Sequence, residues 1–115
     1  MVSHNVIDDY DKGVPASLSQ KLHNYICKDM GYDGIILCDG LGMSGVRDYV
    51  GGDKGEVAVR AVMAGNDMLC ATDVGVQLRA IVKAVKDGRI ELSQIEDSVT
   101  RILMTKINYG LIEKE

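Results

Sequence analysis

Asp39 has the plainest chemical setting in this sequence. It follows Gly34-Ile35-Ile36-Leu37-Cys38, an unbroken small and apolar run, and precedes the turn Gly40-Leu41-Gly42-Met43. A short continuous apolar run with Ile-Ile at its centre predicts a strand over 34–38, buried on both faces as in a parallel sheet. A carboxylate at the C-terminal end of such a strand stands where open α/β sheets and α/β barrels carry their chemistry. Gly40 and Gly42 allow a tight turn and leave the carboxylate uncrowded. The setting suits a carboxylate that takes part in chemistry. It also suits an N-cap, the ordinary use of an Asp between a strand and a helix.

The rest of the composition narrows the class. At 115 residues the chain is one small domain or a piece of a larger one. An apolar share of 46% with 26% charged residues is globular rather than disordered. Five Tyr are the only aromatics, so the core must be aliphatic. A formal charge of -4 without a Lys/Arg cluster argues against a nucleic-acid partner. Cys27, Cys38 and Cys70 have no metal-type spacing, and no ligand pattern suggests a metal or an organic cofactor. Cys38 and Cys70 sit in apolar runs and read as buried free thiols. No signal peptide or membrane-length apolar stretch is present, which makes the chain cytoplasmic if Met1 is the true start and leaves location open otherwise.

The elements that must position Asp39 alternate in type. Met1-Val2-Ser3 reads as a strand tail ending at His4. Ser17 with Gln20 forms a capping-box pattern for a helix whose face is Leu18, Leu22, Tyr25, Ile26 and Met30, with His23 on its solvated side. After strand 34–38, the stretch from Gly40 to Gly55 is rich in glycine and shows no element of its own. A helix is predicted over 56–64 with Gly65 at its end, then a second apolar run over 67–71 that finishes at Thr72-Asp73. Helix 74–87 should turn Leu78, Ile81, Val82 and Val85 inward. Ser93 with Glu96 reads as a second capping box, ahead of a stripe of Ile95, Val99, Ile102, Leu103 and Ile107. Strands alternating with helices of this length call for parallel pairing through right-handed crossovers. Three strands do not close a barrel, which needs about 250 residues.

Several blocks, taken in order, resemble one known family. They are Val2-Ser3-His4, Pro15-Ala16-Ser17-Leu18-Ser19, Gly31 to Met43, Ala61-Val62-Met63-Ala64-Gly65-Asn66-Asp67-Met68-Leu69 and Ser98-Val99-Thr100-Arg101-Ile102-Leu103. Together they are similar to the catalytic domain of family 3 glycoside hydrolases, in the β-N-acetylhexosaminidase branch. The resemblance implies an α/β fold that is part of a TIM-type (β/α)8 barrel. Residues 1–115 would be a C-terminal fragment of it, carrying strands six, seven and eight with their helices. The implied activity is retaining hydrolysis of O-glycosyl bonds, with terminal β-N-acetylglucosaminyl residues as the substrate class.

In that family the aspartate closing the seventh strand is the catalytic nucleophile, and the matching position is Asp39. A retaining glycosidase needs an ionised carboxylate about 5 Å from its proton donor to form a glycosyl-enzyme. The resemblance places that donor, a His-Asp pair on a mobile loop, upstream of Met1. By the same resemblance His4 faces the rim of Asp39 as a substrate contact or a partner for the nucleophile. Met43 is set to line the sugar pocket or fill core, and Asp73 to meet a sugar hydroxyl. Asp67 reads as structural, pairing with backbone near the start of the last strand. Arg101 reads as a surface or helix-packing ion pair, and Arg47 and Asp48 lie in the loop over the site. The family usually carries Asp or Ala after the nucleophile, whereas Gly40 stands here, which should loosen the turn.

Two other readings compete. A phosphoacceptor receiver domain shares the length and the strand ending in Asp39, and Asp8-Asp9 imitates its acidic pair. It fails because too little chain separates Asp9 from Asp39, no Lys-Pro follows, and the only proline precedes Asp39. The other reading is a truncated half-barrel without activity alone. Its open sheet edges would invite self-association or pairing with a missing N-terminal half.

Overall fold

The apolar run before Asp39 forms strand β1 (Leu37–Cys38) in the computed structural model, which describes residues 1–113. β1 pairs in parallel with β2 (Met68–Leu69), Leu37 opposite Met68 and Cys38 opposite Leu69. On its other edge β1 takes a parallel bridge from Val2, whose N–H donates to the Leu37 carbonyl at 2.8 Å. The Asp39 N–H returns a bond to the Val2 carbonyl at 3.0 Å. The chain is thus an α/β unit, mostly helical, around a small parallel sheet.

The strands are shorter than 34–38 and 67–71, and the first strand reduces to the Val2 bridge. Side chains and turns take the groups that a longer ladder would use. Asp67 Oδ2 accepts the Ile36 N–H at 2.9 Å. The carbonyls of Ser3 and Asn5 turn to the amides of Ser17 and Ala16, at 3.0 and 2.7 Å.

The first helical stretch is not one helix. A 3₁₀ turn (Ala16–Leu18) leads into α1 (Gln20–Asn24), which continues as a π turn over Tyr25–Asp29. The cap is Ser19 rather than Ser17: its Oγ accepts the Leu22 N–H at 3.1 Å, while Ser17 is fully buried in the turn before it. His23 is also reversed, being buried rather than solvated. Its Nδ1 lies 2.7 Å from the Ser19 carbonyl and its Nε2 lies 3.1 Å from Asn66 Oδ1.

The glycine-rich stretch holds a helix after all, α2 (Ser44–Tyr49), with Val46 as its one buried side chain. One apolar anchor in six residues leaves no periodicity to detect. In α3 (Lys54–Ala64), Asp53 Oδ1 caps the amides of Gly55 and Glu56, both at 2.8 Å. α4 (Val74–Lys86) is capped by Asp73. α5 (Leu92–Asn108) begins behind Glu91, so Ser93 already lies inside the helix and its capping box with Glu96 does not form.

α3 is the centre of the packing. Val57, Ala58 and Ala61 meet Cys38, Leu41 and Val46, while Val59 and Val62 meet Ala84 and Ile90. Two faces depart from expectation. On α4, Ile81 and Val85 pack inward but Leu78 and Val82 are exposed. On α5, Ile95 joins the core whereas Val99 and Leu103 are exposed. Apolar periodicity marks a face that wants cover, and the described residues provide no element over these two.

Candidate active site

The end of β1 gathers Asp39, Gly40 and His4, because Val2 bridges the strand and carries His4 past its end. Asp39 is half-buried, and its Oδ1 accepts the Gly40 N–H at 2.7 Å. Its Oδ2 has no hydrogen-bond partner among the described residues. One carboxylate oxygen is therefore oriented by the backbone and the other is not held by a hydrogen bond among the described residues.

His4 reaches the same turn from the side. Its Nε2 donates to the Gly40 carbonyl at 2.9 Å, and its Nδ1 lies 2.7 Å from Ser17 Oγ. A carbonyl can only accept, so the Nε2–H tautomer is the one that fits, and Nδ1 then accepts the Ser17 hydroxyl proton. Both ring nitrogens are spent, and neither touches the Asp39 carboxylate. Met43, the residue preceding α2, is about half exposed at 52% and lies beside Gly40.

Asp73 ends the loop after β2. Its Oδ1 accepts the Val76 N–H at 3.4 Å and its Oδ2 meets Lys54 Nζ at 3.3 Å. The two site loops touch where Gly42 faces Thr72: a Cβ on residue 42 would stand 2.8 Å from Thr72 Cγ2. Only glycine allows that approach, and it brings the loops after β1 and β2 together.

Cys38, next to Asp39, is a poor nucleophile. Burial pushes its thiol up to about 12. Cys70 is exposed rather than buried, since among the described residues β2 has no neighbour on its outer edge. Arg47 and Asp48 sit exposed on α2, with Arg47 Nε 3.3 Å from Asp48 Oδ1. Asp67 and Arg101 form an ion pair away from the site. Among the described residues no group of three His, Cys, Asp or Glu side chains is arranged to hold a metal ion.

Two contributors escape the sequence reading. Ser17, fully buried, supplies the second partner of the His4 ring. Gln77, also buried, accepts the Thr72 and Asp73 amides on Oε1 at 3.1 and 3.3 Å and so fixes the loop carrying Asp73. Its signal was an amide side chain within the aliphatic first turns of α4.

The C-terminal end of a parallel strand, where Asp39 stands, is where α/β enzymes carry their chemistry. The model of the glycosyl hydrolase family 3 N terminal domain matches residues 1–105, and the chain belongs to that family. It is 27% identical to a β-N-acetylglucosaminidase/β-glucosidase of Cellulomonas fimi over 127 residues, covering 96% of this chain and 22% of the relative. Among solved structures it is similar to a family 3 β-N-acetylglucosaminidase from Paenibacillus sp. str. FPU-7, at 31% identity and a TM-score of 0.80. That match covers 90% of this chain and 20% of the other. A β-glucosidase involved in saponin metabolism, from intestinal bacteria, matches at 32% identity and a TM-score of 0.72, covering 90% of this chain and 14% of that one. The chain therefore spans about a fifth of the length of the relatives it matches.

Proposed function

We propose that residues 1–115 are the nucleophile-bearing part of a retaining glycoside hydrolase acting on terminal β-N-acetylglucosaminyl residues. Asp39 is the nucleophile in this reading. The observation that carries it is the carboxylate at the end of β1, with Oδ1 held by the Gly40 N–H at 2.7 Å and Oδ2 free among the described residues. Oδ2 attacks the anomeric carbon as the bond to the leaving oxygen breaks, giving a glycosyl-enzyme that water then hydrolyses. The leaving oxygen must be protonated by a separate group, whose contribution is about 10²–10⁴-fold. His4 is not that group, because both of its nitrogens are engaged. The proton donor comes from outside these residues, and the chain alone turns over its substrate at or near background. Met43 and Asp73, on the rim around Asp39, are assigned to the sugar.

The test uses a 2-acetamido sugar fluoride carrying a second fluorine at C5, because fluoride leaves without a proton donor. A single covalent adduct on the peptide containing Asp39, absent from Asp39→Asn, supports the reading. No adduct in the wild type, or one that survives the substitution, defeats it.

The chain is further proposed to be a partial (β/α)8 barrel that needs cover along its open faces. Its accessible surface of 7237 Å² exceeds the about 6,200 Å² expected of a compact monomer of 12.5 kDa. Leu78 and Val82 on α4 and Val99 and Leu103 on α5 are exposed, and among the described residues β2 has no strand on its outer edge. Light scattering on the purified chain should give a mass above 12.5 kDa through self-association. A folded, strictly monomeric chain would count against it.

A further inference from the structure

We propose that His4 is a positioning residue, a clamp on the turn that aims the Asp39 carboxylate, rather than a direct contact to substrate. The consequence for catalysis rests on Asp39 being the nucleophile; the clamp itself does not. Three bonds run in series: Ser17 Oγ to His4 Nδ1 at 2.7 Å, His4 Nε2 to the Gly40 carbonyl at 2.9 Å, and Gly40 N–H to Asp39 Oδ1 at 2.7 Å. The ring is itself fixed. The Ser3 and Asn5 carbonyls on either side of His4 accept the amides of Ser17 and Ala16, and Ser17 is fully buried.

The clamp answers a particular weakness in the turn. Gly40 is not in the left-handed region, and a Cβ there would meet only Met43 Cγ and Sδ, at 3.8 and 3.9 Å. An alanine would therefore fit, and glycine brings to this position backbone freedom worth about 0.5–1 kcal/mol. Loss of the Gly40 carbonyl bond would let the Asp39–Gly40 peptide rotate and carry its N–H away from Oδ1. His4 removes that freedom by holding the far side of the same residue. The arrangement assigns Ser17 a part in it, since without the hydroxyl the ring loses the partner that sets its plane and tautomer.

Amide hydrogen exchange on the 115-residue chain tests the clamp without any turnover. In His4→Ala the position-40 amide should exchange about fivefold faster, the factor expected for one lost neutral hydrogen bond. The Cys70 N–H, which donates to the Cys38 carbonyl in the neighbouring ladder, should not change. Adding Gly40→Ala in the His4→Ala background should restore most of the protection. Ser17→Ala keeps the imidazole and serves if His4→Ala does not fold; it should give a smaller acceleration at the same amide. Long-range ¹H–¹⁵N correlation should find the wild-type ring with its proton on Nε2. An unchanged position-40 amide, equal acceleration of Cys70, or a ring protonated only on Nδ1 would each overturn the proposal. An amide response without fluoride-sugar labelling of Asp39 would leave the clamp standing and remove the nucleophile.

Discussion

The Asp67 carboxylate accepts two bonds from Arg101 on one oxygen, from Nη2 at 2.7 Å and Nε at 3.0 Å, and so ties α5 to the start of β2. Ser98 Oγ donates to that oxygen as well, and the other oxygen holds the Ile36 N–H at the entry to β1. The Asp67 side chain is only 2% exposed. Arg101→Met should therefore lower stability by about 2–4 kcal/mol, because it leaves a buried carboxylate without its cation. Arg101→Lys should recover only part, since a single ammonium cannot reproduce the two-pronged contact. Urea midpoints followed by circular dichroism measure both; a loss within a few tenths of a kcal/mol for Arg101→Met would mean that the pair is idle.

Asn66, next to Asp67, ties the 3₁₀ turn and α1 to α3. Its Nδ2 donates to the Ser17 and Ala61 carbonyls, both at 2.7 Å, and its Oδ1 faces His23 Nε2. Asn66→Leu has similar volume but leaves the Ser17 carbonyl and His23 Nε2 without this partner, whereas the Ala61 carbonyl keeps the backbone amides of residues 65 and 66, and it should cost about 1–3 kcal/mol. The effect should extend to Ser17, and through it to the His4 ring. A chain that keeps its urea midpoint in Asn66→Leu would exclude this role.

What the sequence revealed follows the kind of signal involved. The place of Asp39 at the end of β1 was legible because an apolar run, a carboxylate and two glycines are local and contiguous. Asp67 and Arg101 were legible only as separate residues, since their meeting joins positions 34 apart. His23 was misjudged because Lys21 and Asn24 beside it are polar, while the partner that makes its burial tolerable, Asn66, is 43 residues away. A buried polar pair leaves no periodic trace in either helix. The capping boxes failed for a related reason: Ser19 competes with Ser17, α5 starts behind Glu91 before Ser93 is reached, and the backbone turn that selects the start is not encoded in the side-chain pattern.

Gly42 and Thr72 give a contact that can be broken and repaired. Gly42→Ala puts a Cβ 2.8 Å from Thr72 Cγ2 and 3.3 Å from its Cβ and Oγ1, so one of the two site loops must shift. A cost of about 1–3 kcal/mol is expected for such overpacking. Thr72→Ser deletes the closest atom and should recover more than half of the loss in the double variant. Additive effects of the two substitutions in urea unfolding would show that the loops do not press on each other.

Glu56 should give the chain a specific acid sensitivity. Hydrogen bonds from Arg89 first, then Arg60, hold its carboxyl down at about 2, against an ordinary value of 4.5. Arg89 reaches it through both terminal nitrogens, at 2.9 and 3.0 Å, and joins the segment after α4 to α3. Because the folded value lies below the unfolded one, the stabilisation is fully present above about 4.5 and disappears as pH falls towards about 2. The arginines are partly solvated, so screening reduces the contribution to about 1 kcal/mol. Unfolding free energies of the wild type and Glu56→Gln from urea titration should differ by that amount at pH 6 and draw together as pH falls from about 4.5 to about 2. The variant should also lose the part of the wild-type slope that lies between those values. Parallel curves across the whole range would mean that the carboxyl titrates normally and that the two arginines are only neighbours.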